Sequence, residues 1–184
     1  MAMYVNDRHP LWVKDTRPDA VTNYVADFDF FPASLVVPEG TVLRIFSGRM
    51  TAPANRPFEI RLRYLAGMWS VTGIIRTNDG TSYRTDWFPL LAAWNEIAIQ
   101  WWSATSSPGD GGGLGLWVNR TFVFGSGGIT NDQLVVDGVQ LGILGGLRLG
   151  SSGSAYVDNF ASWTYPDAPT FAGFAAIGSM VGQP

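Results

Sequence analysis

No cysteine occurs in the 184 residues, so no disulfide staples this chain, and a small disulfide-dense secreted scaffold is excluded. A chain of this length buries enough surface to fold as one domain without staples. Charge is scarce too: 15% of residues are Asp, Glu, Lys or Arg, and the balance is −3. The twelve Lys and Arg are dispersed along the sequence, with Arg61 and Arg63 the nearest thing to a cluster. That pattern offers no basic field for a phosphate backbone, so no nucleic-acid partner is expected. No run reaches the length of a membrane span. The start, Met1-Ala2-Met3-Tyr4, has neither a basic region nor an apolar core, so no signal peptide is expected in this chain. Convincing helical periodicity is missing before residue 170.

What is present is β-rich. Aromatics reach 14% and glycines number 22, a combination that favours pleated strands and tight turns. Residues 23–31 alternate Tyr24, Ala26, Phe28 and Phe30 with Val25, Asp27, Asp29 and Phe31. Residues 41–47 form a second strand, apolar in part on both faces. In 58–64, Phe58, Ile60, Leu62 and Tyr64 face one way and Glu59, Arg61 and Arg63 the other. Ala66-Gly67 and Asn78-Asp79-Gly80 punctuate a three-strand meander over 58–88. Further strands are predicted at 94–102, 114–118, 121–124, 133–136, 139–144 and 155–163, with a two-residue turn at Asn119-Arg120. Strands about every ten residues are the mark of a sandwich or barrel.

The reading is an all-β protein: a two-sheet antiparallel β-sandwich at 20–165, an irregular N-terminal arm at 1–19 and an apolar C-terminal tail at 166–184. The tail is expected to dock on its own domain or on a neighbouring subunit, because an exposed apolar segment would be sticky.

The matching run is Trp94-Asn95-Glu96-Ile97-Ala98-Ile99-Gln100-Trp101, a glycine break, then Leu114-Gly115-Leu116-Trp117-Val118-Asn119. Val139-Gln140-Leu141-Gly142, Gly153 and Tyr156-Val157-Asp158-Asn159-Phe160 complete it, with Tyr24 to Phe30 as a first core strand. Over residues 4–163 this pattern resembles the laminin-G-like and concanavalin-A-like jelly rolls of bacterial extracellular proteins, a fold shared by lectins and glucanases. It departs at Asn119-Arg120, where the family usually has Asp-Gly. The resemblance implies a two-sheet jelly roll, often glycan-binding and sometimes calcium-dependent.

Glycoside hydrolysis needs two carboxylates flanking a bond. The glucanase alternation of acids on one strand is absent; the glutamates are Glu39, Glu59 and Glu96, and Asp27-x-Asp29 is the acidic pair with suitable spacing. Its simpler reading is a solvated strand face, so no enzyme is expected. Calcium would draw oxygen ligands from Asp158, Asn159, Asp27, Asp29 and Asp110, although an Asp beside the last strand's aromatic often has a structural role. The Pro108 to Gly113 loop leads into a strand rather than a helix, so it is no phosphate cradle. His9 lacks a partner for a triad or zinc site. Asn119-Arg120-Thr121 is a glycosylation sequon at a hairpin tip.

Aromatics are the remaining lead, since sugars stack on indoles while polar groups bond their hydroxyls. Trp102 and Trp117 lie opposite the apolar rows, and Arg61, Arg63, Tyr83 and Gln100 are expected on that face with them. The expected function is a noncatalytic extracellular or surface module binding carbohydrate or mediating adhesion. The alternative is a structural subunit of a filament, sheath or capsid-like assembly, with the tail at 166–184, through which it would self-associate, and the arm at 1–19 as inter-subunit connectors.

Overall fold

The computed structural model describes residues 1–105 and 111–164, and of 124 and 126 the backbone alone. The tail at 166–184, and with it the expected self-association, and the calcium candidate Asp110 lie outside the described residues. Among the described residues there are thirteen strands: β1 (Ala2–Val5), β2 (Leu11–Asp15), β3 (Asn23–Phe31), β4 (Val42–Arg49), β5 (Phe58–Leu65), β6 (Met68–Arg76), β7 (Ser82–Arg84), β8 (Phe88–Pro89), β9 (Asn95–Trp102), β10 (Gly112–Val118), β11 (Thr121–Ile129), β12 (Gly138–Gly145) and β13 (Gly153–Thr164). No helix occurs among the described residues. One sheet has the order β1-β13-β3-β9-β10-β11; the other has β2-β12-β4-β5-β6-β7, with β8 also paired to β6. All pairings are antiparallel, and the two sheets pack face to face as a jelly-roll sandwich.

Period-2 alternation places the core between the sheets. Phe58, Ile60 and Leu62 of β5 are fully buried against Tyr24, Phe28 and Phe30 of β3 and Ile97, Ile99 and Trp101 of β9. The hairpin turns follow local chemistry. Ala66 and Gly67 both take positive φ between β5 and β6, and Asn119 and Arg120 do so between β10 and β11. Both pairs fit the twist of a two-residue hairpin.

Two bulges decide which side chains reach the core. In β4, Arg44 pairs with Arg61 but Phe46 pairs with Ile60, so β4 carries one extra residue. Leu43, Ile45 and Phe46 consequently all enter the core while Arg44 and Ser47 point outward. That slip accounts for the two-sided apolar run in the sequence. In β13 the register shifts between Asp158 and Ala161, with Asn159 at φ 52°. Phe160 is thereby brought against Phe46, ring centroids 5.9 Å apart.

Two expectations are corrected. Residues 1–19 are not an irregular arm: β1 pairs with β13 and β2 with β12, adding one edge strand to each sheet. The buried Met3 and Val5 alternate with exposed Ala2 and Tyr4, a pattern too short to stand out beside Asn6, Asp7 and Pro10. Residues 133–136 are not a strand; Leu134 and Val136 fill the core from a loop joined to Val21 by one bridge.

Candidate functional site

Because Phe58, Ile60 and Leu62 face inward, Glu59, Arg61 and Arg63 must face outward from β5. Register extends this row across the sheet. Lys14 is opposite Gln140, Gln140 opposite Ser47, Ser47 opposite Glu59, Glu59 opposite Ile74 and Ile74 opposite Arg84. At a strand spacing of ~4.8 Å, this row is about 24 Å long. Arg44 and Arg61 form a neighbouring row with Thr72, and Arg63 pairs with Ser70.

Glu59 is the hub of this outer face. It is 1% exposed, yet it lies on the side away from the apolar core. Arg61 donates to its Oε2 from Nε at 2.8 Å and Nη2 at 2.5 Å. Arg76 Nη2 lies 3.4 Å and Arg44 Nη1 3.7 Å from its Oε1. Burial pushes the Glu59 carboxyl up, but the hydrogen bond and charge of Arg61, with the charges of Arg44 and Arg76, outweigh it and hold the group below its ordinary value. Arg44 is shifted down by burial and by the like charges of Arg56, Arg61 and Arg49, against the pull of Glu59. Arg49 donates to Gln140 Oε1 at 2.9 Å. The Nε groups of Arg44, Arg56, Arg63 and Arg76 are buried without a partner among the described residues.

Trp87 stands at one end of the arginine field. The Arg63 guanidinium lies 4.5 Å and that of Arg84 5.6 Å from its ring centroid, a cation–π arrangement on both counts. At the opposite edge, the half-exposed Trp12 of β2 shares the strand face of Lys14 and pairs with Gly142. A Cβ at Gly142 would lie 2.8 Å from the Trp12 Cα, so this close strand approach requires glycine.

The five sequence-predicted ligand residues do not form one patch. Arg63 belongs to the face just described. Tyr83 pairs with Ile75, whose side chain is in the core, so Tyr83 is turned away from Arg84 at the sheet's margin. Gln100, Trp102 and Trp117 lie on the outer face of the other sheet, across the sandwich from Arg63. Trp117 is 1% exposed, its ring 5.1 Å from that of Phe122, so it presents no open stacking surface. Trp102 donates its Nε1–H to the Gly111 carbonyl at 2.5 Å.

The proposed calcium ligands are occupied by other work. Asn159 Nδ2 donates to Asp29 Oδ2 at 2.6 Å, and the Asn159 amide donates to Asp158 Oδ1 at 3.0 Å, fixing the β13 bulge. Asp27 is held above its ordinary value by burial first, then by the charges of Glu96 and Asp29. Among the described residues no group of three or more His, Cys, Asp or Glu is arranged to hold a metal ion.

Sequence reasoning missed Glu59, Arg44, Arg76, Arg49, Gln140 and Trp87. The usable signal was the parity of arginines: each falls on the polar side of a strand, and the sheet order gathers them.

No protein-family model matches this chain, and no curated protein sequence does. Solved structures share its fold. A native heptameric SAP-like pentraxin from Limulus polyphemus is similar at TM-score 0.55 and 14% identity, covering 88% of this chain and 74% of that one. Alginate lyase vAL-1 from Chlorella virus is similar at TM-score 0.53 and 17% identity, covering 78% and 72%. An alginate lyase from Alteromonas sp.272 gives TM-score 0.52 and 10% identity, covering 79% and 73%. At these identities the likeness establishes the fold alone, a two-sheet jelly-roll sandwich. It also corrects the expectation of a noncatalytic module. That expectation rested on a missing acid pair, which tests for hydrolysis, whereas this fold also carries polysaccharide lyases.

Proposed function

We propose that the chain is a carbohydrate-active jelly roll that works on a polysaccharide laid across the outer face of its seven-stranded sheet. The observation that carries this reading is the arginine floor around Glu59 with the indole of Trp87 at its end. An indole supplies a flat apolar platform for a sugar ring, and fixed donors beside it bond the ring's oxygens. Gln140 and the guanidiniums are already held by bonds within the sheet, so little side-chain freedom is lost on binding. The likeness to alginate lyases supports the catalytic part of the reading. The same reading is compatible with work outside the cell or at its surface.

The test is to incubate the full chain with a panel of neutral and acidic polysaccharides and measure the release of new chain ends. Cleavage of at least one panel member is expected. Trp87→Ala should lower kcat/KM on it about tenfold, the equivalent of ~1.4 kcal/mol of stacking and cation–π energy. Absence of both binding and new chain ends across the panel would refute the reading.

A further inference from the structure

We infer that the polysaccharide is polyanionic, carrying carboxylate or sulfate groups that the guanidiniums of Arg44, Arg49, Arg61, Arg63 and Arg76 receive. This rests on the reading that the glycan lies on this face, and it adds the substrate's charge.

More than half of the twelve basic residues converge here, although the whole chain carries −3. Glu59 neutralises one charge, while three guanidiniums stand within 4.0 Å of it. The surplus is held in place and partly desolvated: the side chains of Arg44, Arg61 and Arg76 are 24%, 35% and 26% exposed. Like charges at such burial repel, and an arriving anion relieves that repulsion while accepting hydrogen bonds from the guanidinium N–H groups that remain open to solvent.

The chemical type of the cations is also informative. The chain has a single lysine, Lys14, and the rest of this field is arginine. Guanidinium is a planar fork that meets a carboxylate or sulfate through paired hydrogen bonds, whereas ammonium is a point charge. A glycan with hydroxyls alone would need mixed donors and acceptors, and would gain little from so many pure donors. Nucleic acid fits less well. Binders of a phosphate backbone rely on a long-range positive field, which an acidic chain of pI about 5.0 does not project.

The experiment titrates the full chain, by tryptophan fluorescence at low and high salt, with polygalacturonate, dextran sulfate, neutral dextran and single-stranded DNA. Saturable binding to at least one of the two polyanionic glycans is expected, weakening as salt rises, with neutral dextran at least tenfold weaker. The preference between polygalacturonate and dextran sulfate identifies carboxylate or sulfate as the group received. Arg49→Gln and Arg63→Gln, both outside the primary Glu59 bond, should each weaken the preferred glycan about tenfold while unfolding at the wild-type temperature. Equal binding of neutral dextran would overturn the inference and leave the carbohydrate reading standing. Tighter binding of DNA than of either polyanionic glycan would overturn the inference in favour of a phosphate backbone. Failure to bind any of the four, in a preparation that releases chain ends from a neutral glycan, would overturn it as well. Failure to bind or cut anything would remove the carbohydrate reading itself.

Discussion

Glu59→Gln should lower the stability of the fold by about 3 kcal/mol at neutral pH, and the melting temperature by about 6–12 °C. The substitution preserves shape and removes the charge that Arg44, Arg61 and Arg76 share. Removing one partner of a buried ionic cluster costs more than the cluster contributed, because the remaining charges stay desolvated and uncompensated. The arginines are partly open to solvent, which is why the lower end of the usual range applies. The pH dependence follows from the depressed Glu59 pKa. A carboxyl with a folded value below its unfolded one contributes stability above the ordinary carboxylate range, and loses it as pH falls through the folded value. Wild type and variant should therefore converge in acid, and thermal unfolding at neutral and acidic pH measures both effects. A variant as stable as wild type at neutral pH would show that Glu59 is not the electrostatic hub.

Phe46→Ala should cost about 4 kcal/mol, a fall in melting temperature of about 8–16 °C. Phe46 is completely buried and joins the two sheets. Its ring centroid lies 5.3 Å from Phe28, 5.6 Å from Phe58, 5.9 Å from Phe160 and 6.5 Å from Tyr24. Truncation removes aromatic contacts to three other strands at once and opens a cavity that two hydrogen-bonded sheets cannot collapse to fill. The residue also sits beside the β4 bulge that turns Arg44 and Ser47 outward. Chemical denaturation would measure the loss, and a cost below about 1 kcal/mol would mean the ring is not the inter-sheet pin described here.

The sheets were legible because each local signal agreed with the next. The alternation of Phe58, Ile60 and Leu62 with Glu59, Arg61 and Arg63 fixed both faces of β5, and Asn119-Arg120 marked the β10–β11 hairpin despite lacking glycine. The site was largely illegible because it is assembled by register between strands distant in sequence. Arg44, Arg61, Arg76 and Arg84 look dispersed along the chain, and their neighbourhood exists once β4, β5, β6 and β7 lie side by side. A one-residue slip exchanges the faces of a strand, so the β4 bulge hides the outward placement of Ser47 from any reading of alternation alone. Trp102 and Trp117 lie on the opposite sheet from Arg63, with Trp117 buried, for the related reason that parity gives a face without saying which sheet carries it or what covers it. The weight given to missing acid pairs was a chemical error rather than a geometric one, since it tested one reaction and was extended to all.

The two outer faces differ in charge as well as position. Asp27, Asp29 and Glu96 lie on the six-stranded sheet, with Arg120 bonded to Glu96 at 3.1 Å, while the arginines lie on the other. This polarity makes the working face testable by matched substitutions. The direct measurement is the release of chain ends from the preferred polysaccharide by wild type, Arg63→Ala and Gln100→Ala, each first shown to be folded. If the seven-stranded sheet is the working face, Arg63→Ala loses about tenfold in kcat/KM and Gln100→Ala matches wild type. Loss of activity in Gln100→Ala with Arg63→Ala unchanged would contradict that assignment.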